Sequence, residues 1–271
     1  MATDDQLVEH LDQVWASIGD LGSTLDEAEW KAPTEVPGWT VQDNLVHIIA
    51  LEWLALGRPA PDHEIPDDLP HVKNDFGRIN EVFVDSRRDR TGPEALAEFR
   101  SVTADRLAQL RAFGPDDFGA ASFTPVGPGT VRNLLPFRVF DSWVHEQDMR
   151  RAVGRPGDLD GPVADAAFGR VVASMPFVVG KKAQAPQGST VAFDLTPPLA
   201  QRFAVRTDGR AQLLDDVPSA VTVTIATDGE TFVRVACGRV DPAGVLVGDA
   251  VHFDGDEALG RRVVEALNFL F

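Results

Sequence analysis

Cysteine and basic residues are both scarce in this chain of 271 residues. Its one cysteine, Cys237, rules out an internal disulfide framework and is typical of a reducing compartment. The N-terminus also lacks the basic start and apolar core of a secretion signal, so we expect a cytoplasmic protein. Lys and Arg number 25 against 42 Asp and Glu, a net charge of −17. Such a surface repels polyanions, so neither nucleic acid nor an anionic membrane is an expected partner.

Several motifs are absent as well. The sequence has no Gly-rich phosphate loop, no nucleophile elbow and no Cys-x-x-Cys pair, which argues against nucleotide use and serine-nucleophile chemistry. No uninterrupted apolar run reaches the length of a membrane helix. The length allows two domains, and an apolar content of 44% supports a core in each. The Gly- and Pro-rich stretch 154–162 is the predicted linker, between a first domain at 1–155 and a second at 160–271.

The first domain is predicted to be an all-α antiparallel bundle, whose interior can hold a metal between facing helices. Apolar residues recur at helical spacing, and Thr40 with Asp43 forms an N-cap signal. Pro136 is expected to start or kink the last helix. Loops are expected at 59–70, where His63 is interpreted as a solvated histidine, and at 127–130. The predicted helices span 4–30, 40–56, 71–90, 93–113 and a final segment that ends near Gly154.

The second domain is predicted to be α+β. Its Asp-Gly pair at Asp208 and Gly209 is a hairpin signal between two alternating segments. The predicted strands are 190–196, 201–206, 211–214, 220–226 and 251–254. The predicted helices are 163–182, 231–237 and 256–271.

Asp141 and His145 are the most informative residues, because positions four apart project from one face of a helix. Together with His47, from the apolar segment after Thr40, they could bind a divalent cation and leave sites open for water or substrate. Taken alone, such a pair more often makes an ordinary side-chain hydrogen bond. A lone histidine on an apolar helix is likewise more often a satisfied core residue.

Two segments in this order resemble the mycothiol-dependent maleylpyruvate isomerase family, part of a wider DinB-like group of metalloenzymes. They are Pro37-Gly-Trp-Thr-Val-Gln-Asp-Asn-Leu-Val-His47 and Arg138-Val-Phe-Asp-Ser-Trp-Val-His-Glu-Gln-Asp148. Matched position by position, the resemblance implies a DinB-like bundle with His47, Asp141 and His145 as ligands, usually of zinc. Many members have Glu where Asp141 stands. Because Asp is one methylene shorter, a metal is expected to lie nearer the helix or to be held less tightly.

The segments 220–239 and 251–256 resemble the sterol-carrier-like domain found in these proteins. The family implies mycothiol as the thiol cosubstrate and a small electrophile as substrate. The expected activity is that of an isomerase or an S-transferase. A monomer and a homodimer both remain open.

Asp148 and Arg239 are the candidate catalytic residues beyond the ligands. Asp148 could orient an imidazole or contact the thiol, and the alternative is a salt bridge to Arg151 or Arg138. Arg239, with Arg234, could reach an acidic substrate from the second domain, although most such arginines form surface or interdomain pairs.

Three other functions fit parts of the pattern. Two histidines and a carboxylate also describe non-haem iron oxygenases, which place these ligands on strands. Water in place of a thiol would make the protein a metal-assisted hydrolase. A non-catalytic protein could instead bind an apolar molecule in a pocket of the second domain. The residues that would line that pocket are Phe168, Met175, Phe177, Phe193 and Phe203.

Overall fold

The computed structural model describes residues 2–270, and the chain divides into two compact units. The first unit ends at Asp158 and the second begins at Leu159. This division falls inside the stretch 154–162 that the sequence marks as a linker. A helical unit followed by an α+β unit is the predicted fold class, and the structure confirms it.

Helices build the first unit, with one short hairpin. The helices are α1 (Asp4–Ser23), α2 (Glu27–Trp30), α3 (Val41–Ala55), α4 (Asp75–Asp85), α5 (Gly92–Arg111), α6 (Pro115–Gly119) and α7 (Val131–Ala152). The hairpin consists of β1 (Ala121–Thr124) and β2 (Gly127–Thr130). Helices α1, α3, α5 and α7 pack on one another through buried Leu, Ile, Val and aromatic side chains. Helix α3 has little solvent-exposed surface, since 11 of its 15 residues are buried.

A mixed sheet forms the centre of the second unit, in the order β5-β4-β3-β6-β7. Its strands are β3 (Thr190–Thr196), β4 (Gln201–Asp208), β5 (Arg210–Leu213), β6 (Val223–Asp228) and β7 (His252–Gly255). Strands β3 and β6 are parallel, and the other neighbours are antiparallel. The helices are α8 (Gly161–Phe177), which continues as a π-helical turn at Val178–Lys182, α9 (Gly229–Ala236), α10 (Pro242–Val247) and α11 (Glu257–Glu265).

Local capping explains where several elements depart from the sequence-based prediction. The expected helix 4–30 is two helices, because Asp26 caps a new start and forms a capping box with Glu29. Thr130 caps α7 in the same way, so Pro136 lies inside that helix, and of its two predicted roles the start of the helix is excluded. The expected loop at 127–130 is strand β2. The expected helix 71–90 is reduced to α4, which Asn74 caps.

The end of the chain differs from the prediction, whereas the predicted hairpin of the second unit is present. The closing helix ends at Glu265 rather than at residue 271, and Phe271 lies outside the described residues. The Asp-Gly hairpin is present as predicted, with Gly209 at a φ of 68° between β4 and β5. Glycine adopts this left-handed backbone without steric cost, which is why the turn forms there.

One helical segment is long and apolar enough, by length and composition, to cross a membrane. It spans Gly161–Lys182, where Asp165 and Arg170 interrupt the apolar run. The inner side of this segment contributes core residues such as Phe168 and Met175, and 44% of its most apolar window is buried in the protein. A buried core helix passes the same test, so this segment is weak support for a membrane span.

Packing around Trp30 gives a test of the helical unit. A Cβ atom added at Gly92 would lie 1.9 Å from Cδ1 of Trp30, which is buried. We expect Gly92→Ala to destabilise the protein by about 1–3 kcal/mol, because the indole must move out of a packed core. At Gly119 the added atom meets nothing within 4 Å, so Gly119→Ala is the matched control. Thermal unfolding of both variants measures the difference, and equal midpoints would contradict this packing.

Candidate metal centre

The three predicted ligands come together between α3 and α7. His47 lies in the middle of α3, and Asp141 and His145 lie one turn apart on α7. The Nε2 atom of His47 is 3.3 Å from Oδ2 and 3.4 Å from Oδ1 of Asp141. The Nε2 atom of His145 is 3.7 Å from Oδ1 of Asp141. One donor atom from each residue lies within 4.8 Å of the other two, so the three can share one ion.

Burial separates these ligand atoms from bulk water. The exposed fraction of the side chain is 5% for His47, 9% for His145 and 29% for Asp141. Water is therefore largely excluded from the two imidazoles, whereas a small molecule can reach the carboxylate of Asp141. A metal that catalyses a reaction needs this combination of fixed protein ligands and an accessible position.

Asn44 determines which nitrogen of His145 faces the other ligands. The amide nitrogen of Asn44 donates to Oγ1 of Thr34 and to the carbonyl of Thr40, at 3.0 and 2.8 Å. Its Oδ1 atom therefore accepts, and Nδ1 of His145 donates to it at 2.6 Å. A neutral imidazole that carries its proton on Nδ1 has a lone pair on Nε2. That lone pair points to Asp141, and two facing acceptors are stable only with a cation between them or a proton on one of them.

The aromatic ring of Trp39 forms one wall of the site. Its centroid is 5.2 Å from that of His47 and 5.9 Å from that of His145, and the two imidazoles are themselves 4.7 Å apart. The indole nitrogen donates to Oε2 of the buried Glu81 at 3.0 Å. This bond orients the indole, whose apolar face keeps water from the imidazoles.

The charges around the ligands shift two pKa values. Burial lowers the pKa of the His47 imidazole below its usual value, and the nearby Asp141 carboxylate opposes this effect only in part. For Asp141, burial works to raise the pKa. The charges of His47 and Arg138 outweigh burial and hold the pKa of this carboxyl well below its usual value. Asp141 is therefore an anion and His47 a neutral base at neutral pH, as metal ligands must be.

Asp148 contacts both the imidazole of His145 and the guanidinium of Arg151, which were predicted as alternatives. Its Oδ2 atom is 3.3 Å from Nδ1 of His145, on the same side as Asn44. Its Oδ1 atom accepts from Nη2 of Arg151 at 2.6 Å, and Nε of Arg151 donates to Glu35 at 3.0 Å. Asp148 is fully buried. It therefore lies behind the imidazole, on the side away from the other ligands.

Comparison with known proteins identifies the family of the chain. Residues 11–150 match the family model described as the mycothiol maleylpyruvate isomerase N-terminal domain, and residues 165–262 match that of the corresponding C-terminal domain. The chain belongs to the mycothiol maleylpyruvate isomerase family. This membership confirms the resemblance found in the sequence, and it makes the chain a member of a family of enzymes.

Solved structures of the family share the fold. A crystal structure of mycothiol-dependent maleylpyruvate isomerase has a TM-score of 0.60 and 15% identity, over 93% of both chains. A histidine-to-alanine mutant of that enzyme has a TM-score of 0.57 and 16% identity, also over 93% of both chains. At this identity the likeness shows the fold alone. Among curated proteins, none matches the sequence.

The other predicted site residues lie elsewhere. Arg239 lies in the second unit, just after α9, where its Nη1 atom donates to the carbonyl of Cys237 at 2.7 Å. Arg234 lies in α9 itself. Their role toward a substrate stays a prediction. His63 lies in the loop before α4, as expected, and its Nε2 atom is 2.7 Å from Oδ2 of Asp85.

Most of the residues that were expected to line an apolar pocket in the second unit belong to its hydrophobic core. Phe193 and Phe203 stack with their centroids 4.8 Å apart, and Phe168 packs on Phe232 at 6.1 Å. Met175 is also buried, whereas Phe177 is half exposed. These side chains fill the space that a ligand would need, so they do not support an apolar binding site.

Sequence reasoning did not identify Asn44, Glu52 or Arg138 as parts of this centre. Asn44 lies one turn before His47, so helical spacing could have marked it as a neighbour of the ligands. Trp39 and Arg138 both lie in the two segments that resemble the family, but no contact between them and the ligands was predicted. Glu52 carried no signal, because its partners Arg106 and Arg138 lie on two other helices and depend on how α3 packs against α5 and α7.

The lowered pKa of His47 is testable in protein freed of metal by a chelator. We expect its imidazole, followed by NMR, to titrate below the ordinary value of about 6.5. Asp141→Asn should lower this pKa further, because it removes the nearby negative charge. Asp85→Asn, which alters the contact of a different histidine, should leave it unchanged. Titration of His47 above the ordinary value would contradict the described burial.

Proposed function

We propose that this protein is a metal-dependent enzyme that uses mycothiol, or a similar low-molecular-weight thiol, to attack a small electrophile. The observation that carries the proposal is the convergence of His47, Asp141 and His145 on one point. It occurs in a chain that belongs to the mycothiol maleylpyruvate isomerase family. The reaction is an isomerisation or a transfer of the thiol.

Zinc is the metal that we propose. Two imidazole nitrogens and one carboxylate oxygen are among its usual ligands, and three protein ligands are typical of catalytic zinc sites. Zinc with these ligands retains positive charge, and when bound it lowers the pKa of a thiol so that the thiolate is present at neutral pH. The same ligand types on strands are typical of non-haem iron oxygenases, whereas here they lie on helices.

The protein's own residues hold and shape this site. Asn44 and Asp148 bind the rear nitrogen of His145 and so direct its Nε2 atom forward. Trp39 covers both imidazoles with an apolar ring. Asp141 is the most exposed of the three proposed ligands, so the thiol and the electrophile would approach from its side.

The isomerisation needs no reactant other than the thiol and the electrophile. The thiolate sulfur adds to one carbon of a cis double bond, and the electron pair moves toward a conjugated carbonyl. Rotation about the resulting single bond is followed by loss of the thiolate, which restores the double bond in the trans form. The thiol is regenerated, so catalytic amounts suffice. In the transfer reaction the adduct takes up a proton on carbon instead of losing the thiolate, so the sulfur stays on the electrophile and the thiol is consumed.

The first test is metal content. Elemental analysis of the purified protein is expected to find about one zinc or similar ion per chain. His145→Ala should lose it, because one of three protein ligands is removed. His63→Ala is the matched control, since this loop histidine pairs with Asp85 and is not one of the three proposed ligands. Full metal content in His145→Ala would contradict the proposed set of ligands.

The second test is turnover. The wild-type protein is incubated with mycothiol and maleylpyruvate, or with a generic electrophile, with and without a chelator. We expect thiol-dependent turnover that the chelator abolishes, a loss in His145→Ala and normal turnover in His63→Ala. Turnover without any thiol would show a hydrolase instead. No turnover with either thiol or water, or turnover that the chelator leaves unchanged, would contradict the proposal.

A further inference from the structure

We propose that Arg138, held by Glu52, is a positioning residue that sets the geometry of Asp141 as a metal ligand. The inference rests on the proposed metal site and adds a role for residues outside the three ligands. Nη1 of Arg138 donates to Oδ2 of Asp141 at 2.8 Å. Nε of Arg138 donates to Oε1 of Glu52 at 2.6 Å. One guanidinium thus bridges two carboxylates.

The bridge connects the two helices that supply the ligands. Glu52 lies on α3, five residues after His47, and Arg138 lies on α7, one turn before Asp141. A rigid planar guanidinium fixes the separation of the two carboxylates that it binds. It therefore sets the position of Asp141 relative to α3, and with it the distance between Asp141 and His47.

Burial makes this bridge costly, which argues that it does more than stabilise the fold. Glu52 is 1% exposed and Arg138 is 5% exposed. A buried ion pair contributes little to stability when compared with apolar side chains of the same volume. Moreover, Nη2 of Arg138 is buried without a hydrogen-bond partner among the described residues. The guanidinium is therefore placed where it reaches both carboxylates, rather than where all of its donors are satisfied.

One oxygen of Asp141 remains for the ion. Arg138 takes a hydrogen-bond position on Oδ2, whereas Oδ1 lies 3.4 Å from Nε2 of His47 and 3.7 Å from Nε2 of His145. This arrangement favours binding through a single oxygen. It also lets Arg138 offset part of the negative charge and hold the carboxylate still, as partners behind metal ligands do in other sites.

Arg106 provides a matched control within the same network. Its Nε atom lies 3.3 Å from Oε2 of Glu52, and its exposure is 3%. It thus shares a buried carboxylate with Arg138, but no contact between Arg106 and Asp141 is found among the described residues. Substitution of either arginine leaves Glu52 with one partner fewer, whereas only substitution of Arg138 releases Asp141.

The experiment compares Arg138→Gln with Arg106→Gln in the full chain. Zinc affinity is measured by competition with a chromophoric chelator, and stability by thermal unfolding. We expect both variants to be destabilised. Only Arg138→Gln should bind zinc about 10- to 100-fold more weakly than the wild type, the usual effect of removing a partner behind a ligand. Arg106→Gln should keep the wild-type affinity.

Arg138→Lys supplies a conservative variant. The ammonium group keeps the charge but cannot bridge two carboxylates in the same plane, so we expect an affinity between those of the wild type and Arg138→Gln. Should Arg138→Gln fail to fold, Arg138→Lys against Arg106→Lys provides the same comparison. Equal affinities in the wild type and the Arg138 variant would overturn the inference, as would equal losses in the Arg138 and Arg106 variants. A wild-type protein that binds no zinc would instead refute the proposed function.

Discussion

The account depends on one electrostatic constraint, the meeting of two imidazole nitrogens and a carboxylate between α3 and α7. Oδ1 of Asn44 accepts a hydrogen bond from Nδ1 of His145, so the Nε2 lone pair of this histidine faces the anionic Asp141. His47 faces the same carboxylate, and burial disfavours its protonation. Facing acceptors need a cation between them or a proton on one of them, and one cation satisfies all three ligands at once. The proposed metal site follows from this need, and the thiol chemistry follows from the metal.

The surrounding side chains fit the same interpretation, because each ligand has its own support. Asn44 and Asp148 hold His145, Arg138 holds Asp141, and the indole of Trp39 covers the two rings. These supports come from the loop before α3, from α3 and from α7. A site built on packed helices is held in place more firmly than one built on loops.

Local signals in the sequence predicted much of this arrangement. Thr40 with Asp43 indicated the start of α3, and the spacing of Asp141 and His145 indicated one face of α7. The Asp-Gly pair indicated the hairpin of β4 and β5. Each of these signals depends on residues within a few positions, which is why a single sequence reveals them.

Other features depend on contacts that no local pattern records. The partners of Glu52 lie 54 and 86 residues away, so the bridge to Arg138 exists only once α3, α5 and α7 have packed. Strand β2 was predicted to be a loop, because its Gly and Pro residues are poor strand formers and only pairing with β1 makes them extended. The break after α1 was missed, because the apolar spacing continues across Leu25 while Asp26 caps a new helix.

The most direct test of the central claim is a crystal structure of the zinc-loaded protein, with anomalous data collected at both sides of the zinc absorption edge. The account predicts one anomalous peak, bound by Nε2 of His47 and Nε2 of His145 at about 2.0–2.1 Å and by an oxygen of Asp141 at about 2.0–2.2 Å. A peak bound by other residues would contradict it. So would the lack of any peak between these three side chains in crystals grown with zinc.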